Sequence, residues 1–170
     1  QDLKAMVAYS SISHMGVVLL GIATLNVTGL TGAVVQMVAH GLTAGTLFLV
    51  VGLLYQRTHS RDLADYGSLT GKAPRFAFFV AFGFLAALGL PGSAGFIAEL
   101  HVLIGGYARW GAWVILLGLA LLIGAAYSLR VIGRLCLKGP RMDLPDMTRT
   151  EAVAAGLLAK KAVEAGLRVA

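Results

Sequence analysis

Three residues able to carry a proton stand in stretches otherwise almost free of charge: Glu99, His40 and His14. Glu99 is the one charged residue in the run Phe76–Ala108. A carboxylate inside a bilayer costs roughly 2.5–3.5 kcal/mol on insertion scales, so an intramembrane Glu marks a functional site by default. It can take up and release a proton. The bland alternative is a carboxylate that only caps broken backbone. His40 lies in Gln36-Met-Val-Ala-His40-Gly-Leu-Thr43. Gln36, His40 and Thr43 share one helix face at i, i+3, i+4 spacing. Such a stripe suits a wet interior face, and an imidazole titrating near 6.5 is a natural relay. A neutral cross-linking histidine is the alternative. His14, in Tyr9-Ser-Ser-Ile-Ser-His14, shares its face with Ser10 and Ser13, and packing explains it equally well. Lys4 precedes the first apolar stretch. It reads more readily as an anchor that snorkels to water than as a relay. His59 and His101 read as loop and rim residues.

The elements that must position these groups are membrane helices. Ala5–Leu25, Leu30–Tyr55, Phe76–Ala98 and Trp110–Leu129 are long and apolar, and Asp, Glu, Lys and Arg are absent from them. Each is at least about 20 residues long, the length that crosses a 30 Å hydrocarbon core as helix, and helix satisfies its own backbone there. The third stretch is odd. With its continuation to Ala108 it is too long for one straight crossing, and its middle reads Leu88-Gly-Leu-Pro-Gly-Ser-Ala-Gly-Phe96. Pro91 removes an N–H donor, and Gly89, Gly92 and Gly95 open other backbone angles. The spacing predicts two half-helices, about Phe76–Leu88 and Ala94–Ala108, with non-helical backbone near Leu90–Ser93. Broken helices at membrane depth occur where protein or a water-filled cavity covers them.

The fold class expected is therefore an all-α integral membrane protein. It has about four transmembrane helices, the third broken, over residues 1–134. Residues 135–170 make an inner loop and a further helix. Thr150–Ala170 is Ala-rich and holds Glu151, Lys160, Lys161, Glu164 and Arg168. It is too charged for an easy span, so an amphipathic helix on the membrane or on a partner is expected. The chain opens Gln-Asp-Leu-Lys, which reads as a fragment or a processed chain.

Charged residues make up 13% of the chain, about half the usual share of a soluble domain. The net charge of +6 reads as topology, not as a nucleic-acid surface. Lys4, Arg57, Arg61, Lys72, Arg75, Arg134, Lys138 and Arg141 all fall on one side if the third stretch crosses once, leaving Arg109 on the other. The positive-inside rule puts the basic side in the cytoplasm. Trp110 and Trp113 open the fourth stretch at the opposite interface, where aromatic belts sit. The single Cys136 excludes an intrachain disulfide. Nucleotide-binding loops and Cys clusters for iron–sulfur are absent from the sequence, so no cofactor is expected in this chain. Asn26-Val-Thr28 matches a glycosylation sequon, but so tight a turn against the membrane is a poor acceptor.

Three strings carry a family resemblance: Asp2-Leu-Lys4 with Ala8-Tyr-Ser-Ser-Ile-Ser-His-Met-Gly16, Gln36-Met-Val-Ala-His-Gly41, and Gly89-Leu-Pro-Gly-Ser-Ala-Gly-Phe-Ile-Ala-Glu99. Over about Gln1–Arg134 the chain resembles the antiporter-like subunits of respiratory complex I, of the M type (subunit 4 of the mitochondrial enzyme). The resemblance implies helices ten to thirteen of a fourteen-helix subunit, the larger part of its second inverted repeat. It implies that His14, His40 and Glu99 are relay positions, with Glu99 at the outer end of a proton path. A proton-translocating subunit of a redox-driven NADH–quinone oxidoreductase follows, in the bacterial inner membrane or an equivalent one. Its partners would be lipid, protons and other membrane subunits, including neighbouring antiporter-like ones. A cation/proton antiporter of the Mrp type and a membrane-bound hydrogenase subunit are the alternatives. A purely structural helix bundle is a third reading. The charged tail from Ala159 departs from the apolar fourteenth helix the family implies.

Overall fold

The computed structural model describes residues 2–137 and 144–167. All the regular elements among them are helices: α1 (Leu3–Ala23), α2 (Val27–Thr58), α3 (Leu69–Lys72), α4 (Pro74–Ala87), α5 (Ala94–Trp110), α6 (Ile115–Ile132) and α7 (Arg149–Leu167). A 3₁₀ turn, Gly111–Val114, joins α5 to α6, and a π turn, Gly133–Leu137, extends α6. The chain is an integral membrane protein. α1, α2 and the run Ala94–Leu137 are long and apolar enough to cross a bilayer, while α4 is shorter. Large apolar side chains on the outer faces, such as Ile12, Leu19, Leu116 and Leu122, are exposed.

Local chemistry sets the ends. Asp2 caps α1 by accepting from Ala5 N–H at 3.0 Å. Asn26 caps α2 by accepting from Gly29 N–H at 2.8 Å, and its amide donates to Gly105 O at 2.8 Å. Both ends of the Asn26 side chain are thus engaged. These bonds fix one end of the bundle, where the α1–α2 turn meets the end of α5. Glycines let the backbones close in there, as small residues do between membrane helices. A Cβ on Gly21 would lie 2.8 Å from Gly29 O, one on Gly105 2.6 Å from Gly29 N, and one on Gly32 2.8 Å from Ala98 O.

The other end is basic. Leu3 N–H donates to Arg61 O at 2.8 Å, and Thr70 Oγ1 to Cys136 O at 2.7 Å. The start of α1, the 59–68 loop, α3 and the end of α6 therefore share one level. α5 ends at the Asn26 end and α6 ends at the basic end, so the chain reverses at Gly111, whose φ is +62°. Four crossings result, as the sequence predicts: α1, α2, the pair α4–α5, and α6. A core of Leu3, Val7, Leu54, Tyr66, Phe76 and Leu135 fills the basic half.

The C-terminal helix forms where expected, and its partner is this same chain. α7 packs against α2, α4 and α5. Arg57 donates to Glu151 at 2.7 Å at its base. Gly156 lies beside the Phe79 ring, and a Cβ on Gly166 would come within 2.8 Å of Ala94. So α7 climbs from the basic end towards the broken crossing. Its buried stripe is Ala155, Ala159, Ala162 and Gly166, small enough for close docking, while Lys160 and Glu164 pair with each other on the outer face at 3.5 Å. The strap before α7 is tied as well. Asp146 accepts from the first free N–H groups of α4, Arg75 and Phe76, each at 3.2 Å. Lys138, Gly139-Pro140, Arg141 and Arg168 lie outside the described residues.

Candidate functional site

The break falls where the glycines and Pro91 place it. α4 ends at Ala87 and α5 begins at Ala94. Gly89 (φ +75°) closes α4 by giving its N–H to Ala86 O, while Leu90 N–H reaches Leu85 O, both at 3.2 Å. This is the paired 5→2 and 6→1 bonding of a Schellman end. Ser93 N–H then donates to Leu90 O at 2.9 Å, across Pro91 and Gly92. With φ at +97° for Gly92, this is a type II turn, which suits Pro at its second position and Gly at its third. Gly95 lies against the end of α4, its Cβ position 3.4 Å from Ala86 O.

Glu99 sits in the second turn of α5 and is only 7% exposed. Helical side chains lean towards the N-terminus, so its carboxylate reaches back to the break. A Cβ on Gly89 would lie 2.5 Å from Glu99 Oε2. α5 itself starts just after the break. At that start Ser93 Oγ accepts from Phe96 N–H at 3.3 Å, so a neutral hydroxyl takes that capping place. The carboxylate lies over Gly89, on the α4 side of the break.

His14 reaches the same place from α1. Its Nδ1 is 2.8 Å from Ser10 O and its Nε2 is 2.8 Å from Ala87 O, the last carbonyl of α4. The histidine thus satisfies a backbone group that the break sets free. Carbonyls only accept. The neutral ring can donate to one of the two, and the protonated ring to both. His40, on α2, stacks on His14 with ring centroids 5.0 Å apart and an interplanar angle of 24°. Gln36 is 1% exposed. Thr43 turns its hydroxyl back onto Ala39 O at 2.8 Å. His14, Gln36, His40, Thr43 and Glu99 all line one small cavity of about 10 Å³.

Not every candidate converges there. Lys4 is at the basic end beside Ser60 and Arg61. His59 ends α2, and His101 bonds Ile97 O within α5, at 2.8 Å. Sequence reasoning did not find the Ala87 carbonyl, which carries no side-chain signal, or a cleft of about 530 Å³ at the basic end between α1 and α6. That cleft is lined in part by Ser10, Ser13, Tyr127, Arg130 and Arg134. Ser10 Oγ also lies 3.5 Å from His14 Nδ1, so the cleft ends one contact from the histidine pair. No cluster of His, Cys, Asp and Glu suited to a metal occurs among the described residues.

Residues 1–124 match the family model described as NADH:quinone oxidoreductase/Mrp antiporter, TM. The chain belongs to this family. NADH-quinone oxidoreductase subunit M of Rhodobacter capsulatus is 39% identical over 165 residues, covering 94% of the chain and 32% of that protein. NADH-ubiquinone oxidoreductase chain 4 of Arabidopsis thaliana is 41% identical over 133 residues, covering 78% of the chain and 27% of that protein. The chain thus spans between about a quarter and a third of these relatives. Among solved structures, respiratory complex I from Thermus thermophilus with bound NADH superposes with a TM-score of 0.92 at 32% identity. The overlap is 98% of this chain and 36% of that one. An archaeal respiratory complex, the membrane-bound sulfane sulfur reductase, superposes with a TM-score of 0.82 at 28% identity over 98% of this chain and 28% of its own. The likeness to oxidoreductase/antiporter proteins therefore continues past Arg134, where the resemblance read from the sequence ends, and takes in α7.

Proposed function

We propose that this chain is part of a proton-translocating membrane subunit of a redox-driven NADH–quinone oxidoreductase. Relatives at 39% and 41% identity carry that oxidoreductase name. The observation that carries the reading is the convergence of Glu99, His40 and His14, from three helices, at a break in the membrane. Protons enter from the basic side through the α1–α6 cleft, pass Ser10 to the stacked histidines, and leave through Glu99. The basic side is cytoplasmic, in the bacterial inner membrane or its equivalent. The chain binds no cofactor of its own. Electron transfer in other subunits of the assembled complex drives the relay, and neighbouring antiporter-like subunits are among its partners.

The test is proton pumping coupled to electron transfer in vesicles holding the assembled complex. Glu99→Gln keeps the shape of the side chain and cannot carry the proton. It should preserve assembly and lower pumping strongly, while Glu99→Asp should keep part of it. Wild-type pumping by Glu99→Gln would make Glu99 structural and remove the central residue of the relay. The family description also covers Mrp antiporters. Sodium-coupled exchange without electron transfer would favour that activity.

A further inference from the structure

Gln36 Oε1 is buried and has no hydrogen-bond partner among the described residues. A buried acceptor left unpaired is costly, and nearly all such groups in folded proteins have a partner. Gln36 lines the cavity that also touches Glu99 and His40. The other polar groups there are already committed. The Thr43 hydroxyl donates to Ala39 O, and both ring nitrogens of His14 face carbonyls. The remaining walls are alanines and Gly95. The cavity's volume of about 10 Å³ matches the space that one water needs. A water carries two donors and two acceptor sites. It can therefore serve the amide oxygen and both titratable neighbours together.

We propose that Gln36 is the positioning residue for a single water held between Glu99 and His40, and that this water is the proton link between them. The inference rests on the relay reading above and names a part that reading lacks. The transfer balances without any heavy atom leaving its place. The water accepts a proton from one neighbour as it releases another to the next, so one O–H bond forms as one breaks. The hydrogen bond to Gln36 Oε1 occupies one of the water's protons. It leaves the other, and the lone pairs, aligned on the Glu99–His40 axis. Gln36 itself neither gains nor loses a proton.

The experiment compares wild type with Gln36→Met in the assembled complex, because Met keeps the length and loses the acceptor. In a structure of the complex at a resolution that shows waters, wild type should hold one density peak within hydrogen-bond reach of Gln36 Oε1, between Glu99 and His40. Gln36→Met should lose that peak. The rate of proton pumping should fall about tenfold, equivalent to about 1.4 kcal/mol on the transfer barrier, with assembly unchanged. An empty cavity in wild type, or Gln36→Met pumping at the wild-type rate, overturns the proposal. Should Gln36→Met fail to assemble, the wild-type density alone decides. The relay reading fails separately, if Glu99→Gln pumps normally while the water is present.

Discussion

Two glycines of α2 provide a controlled comparison of how tightly the bundle is built. A Cβ on Gly32 would lie 2.8 Å from both Ala98 O and Val102 N, against an ordinary contact of at least 3.4 Å, and both atoms are backbone of α5. Gly32→Ala therefore forces α2 and α5 apart by about 0.6 Å at the level of Glu99, because neither atom can swing aside. Overpacking of this kind costs about 1–3 kcal/mol. Gly41 lies on the same helix, and its Cβ position has nothing within 4 Å. Alanine for glycine in a helix interior gains roughly 0.5–1 kcal/mol at either site. That gain cancels in the comparison, so Gly32→Ala should be less stable than Gly41→Ala by about 1–3 kcal/mol, or roughly 5- to 150-fold in the unfolding equilibrium. The assay is reversible unfolding of the purified 170-residue chain in detergent, followed by loss of helix signal. Equal stability of the two variants would refute the close α2–α5 crossing and the cavity geometry that depends on it.

Three further outcomes are expected. Gly89→Ala combines an unfavourable φ of +75° with a Cβ 2.5 Å from Glu99 Oε2. It should lower stability by about 1–3 kcal/mol and also lower pumping, since the carboxylate must move; normal pumping would separate Glu99 from the break. The bonds that Glu151 accepts, first from Arg57 and then from Thr148 N–H, hold its carboxyl below the usual carboxylate range. A folded-state value below the unfolded one means that the stabilisation is present above the ordinary range and is lost as pH falls through it. Melting followed from neutral pH down through pH 4–3 should show this loss in wild type and a smaller one in Glu151→Gln; identical acid profiles would dismiss the pair. Finally, Ser60→Cys, in the loop at the basic end, should react with an impermeant thiol reagent from the cytoplasmic side alone, and labelling from outside intact cells would invert the orientation.

The crossings were legible because their signals are local. Charge-free runs of helix-spanning length marked α1, α2 and α6, and Gly89, Pro91 and Gly92 marked the break almost to the residue. The face shared by Gln36, His40 and Thr43 was legible from helical periodicity. What escaped the sequence depends on contacts between residues distant along the chain. Asp146 caps α4 from 70 residues away, and nothing near Asp146 announces it. The alanine stripe of α7 fits a membrane surface and a helix groove equally well, so the helix was legible and its docking place was not. The direction of the Glu99 side chain follows from helical geometry, but its resting place over Gly89 depends on how the chain turns between α4 and α5.

The docking of α7 also sets an order of events during biosynthesis. Chains are made from the N-terminus, so α1, α2, α4 and α5 enter the membrane before α7 exists. His14, His40 and Glu99 are then all in place while one flank of the break is still bare. The α7 backbone arrives later and shores up Ser93 and Ala94 through Gly166, tethered at its base by Arg57 and Glu151. A nascent chain stalled before α7 would hold His14, His40 and Glu99 without the packing of Gly166 on Ser93 and Ala94. α7 thus reaches the broken crossing only after the helices it packs against have been made.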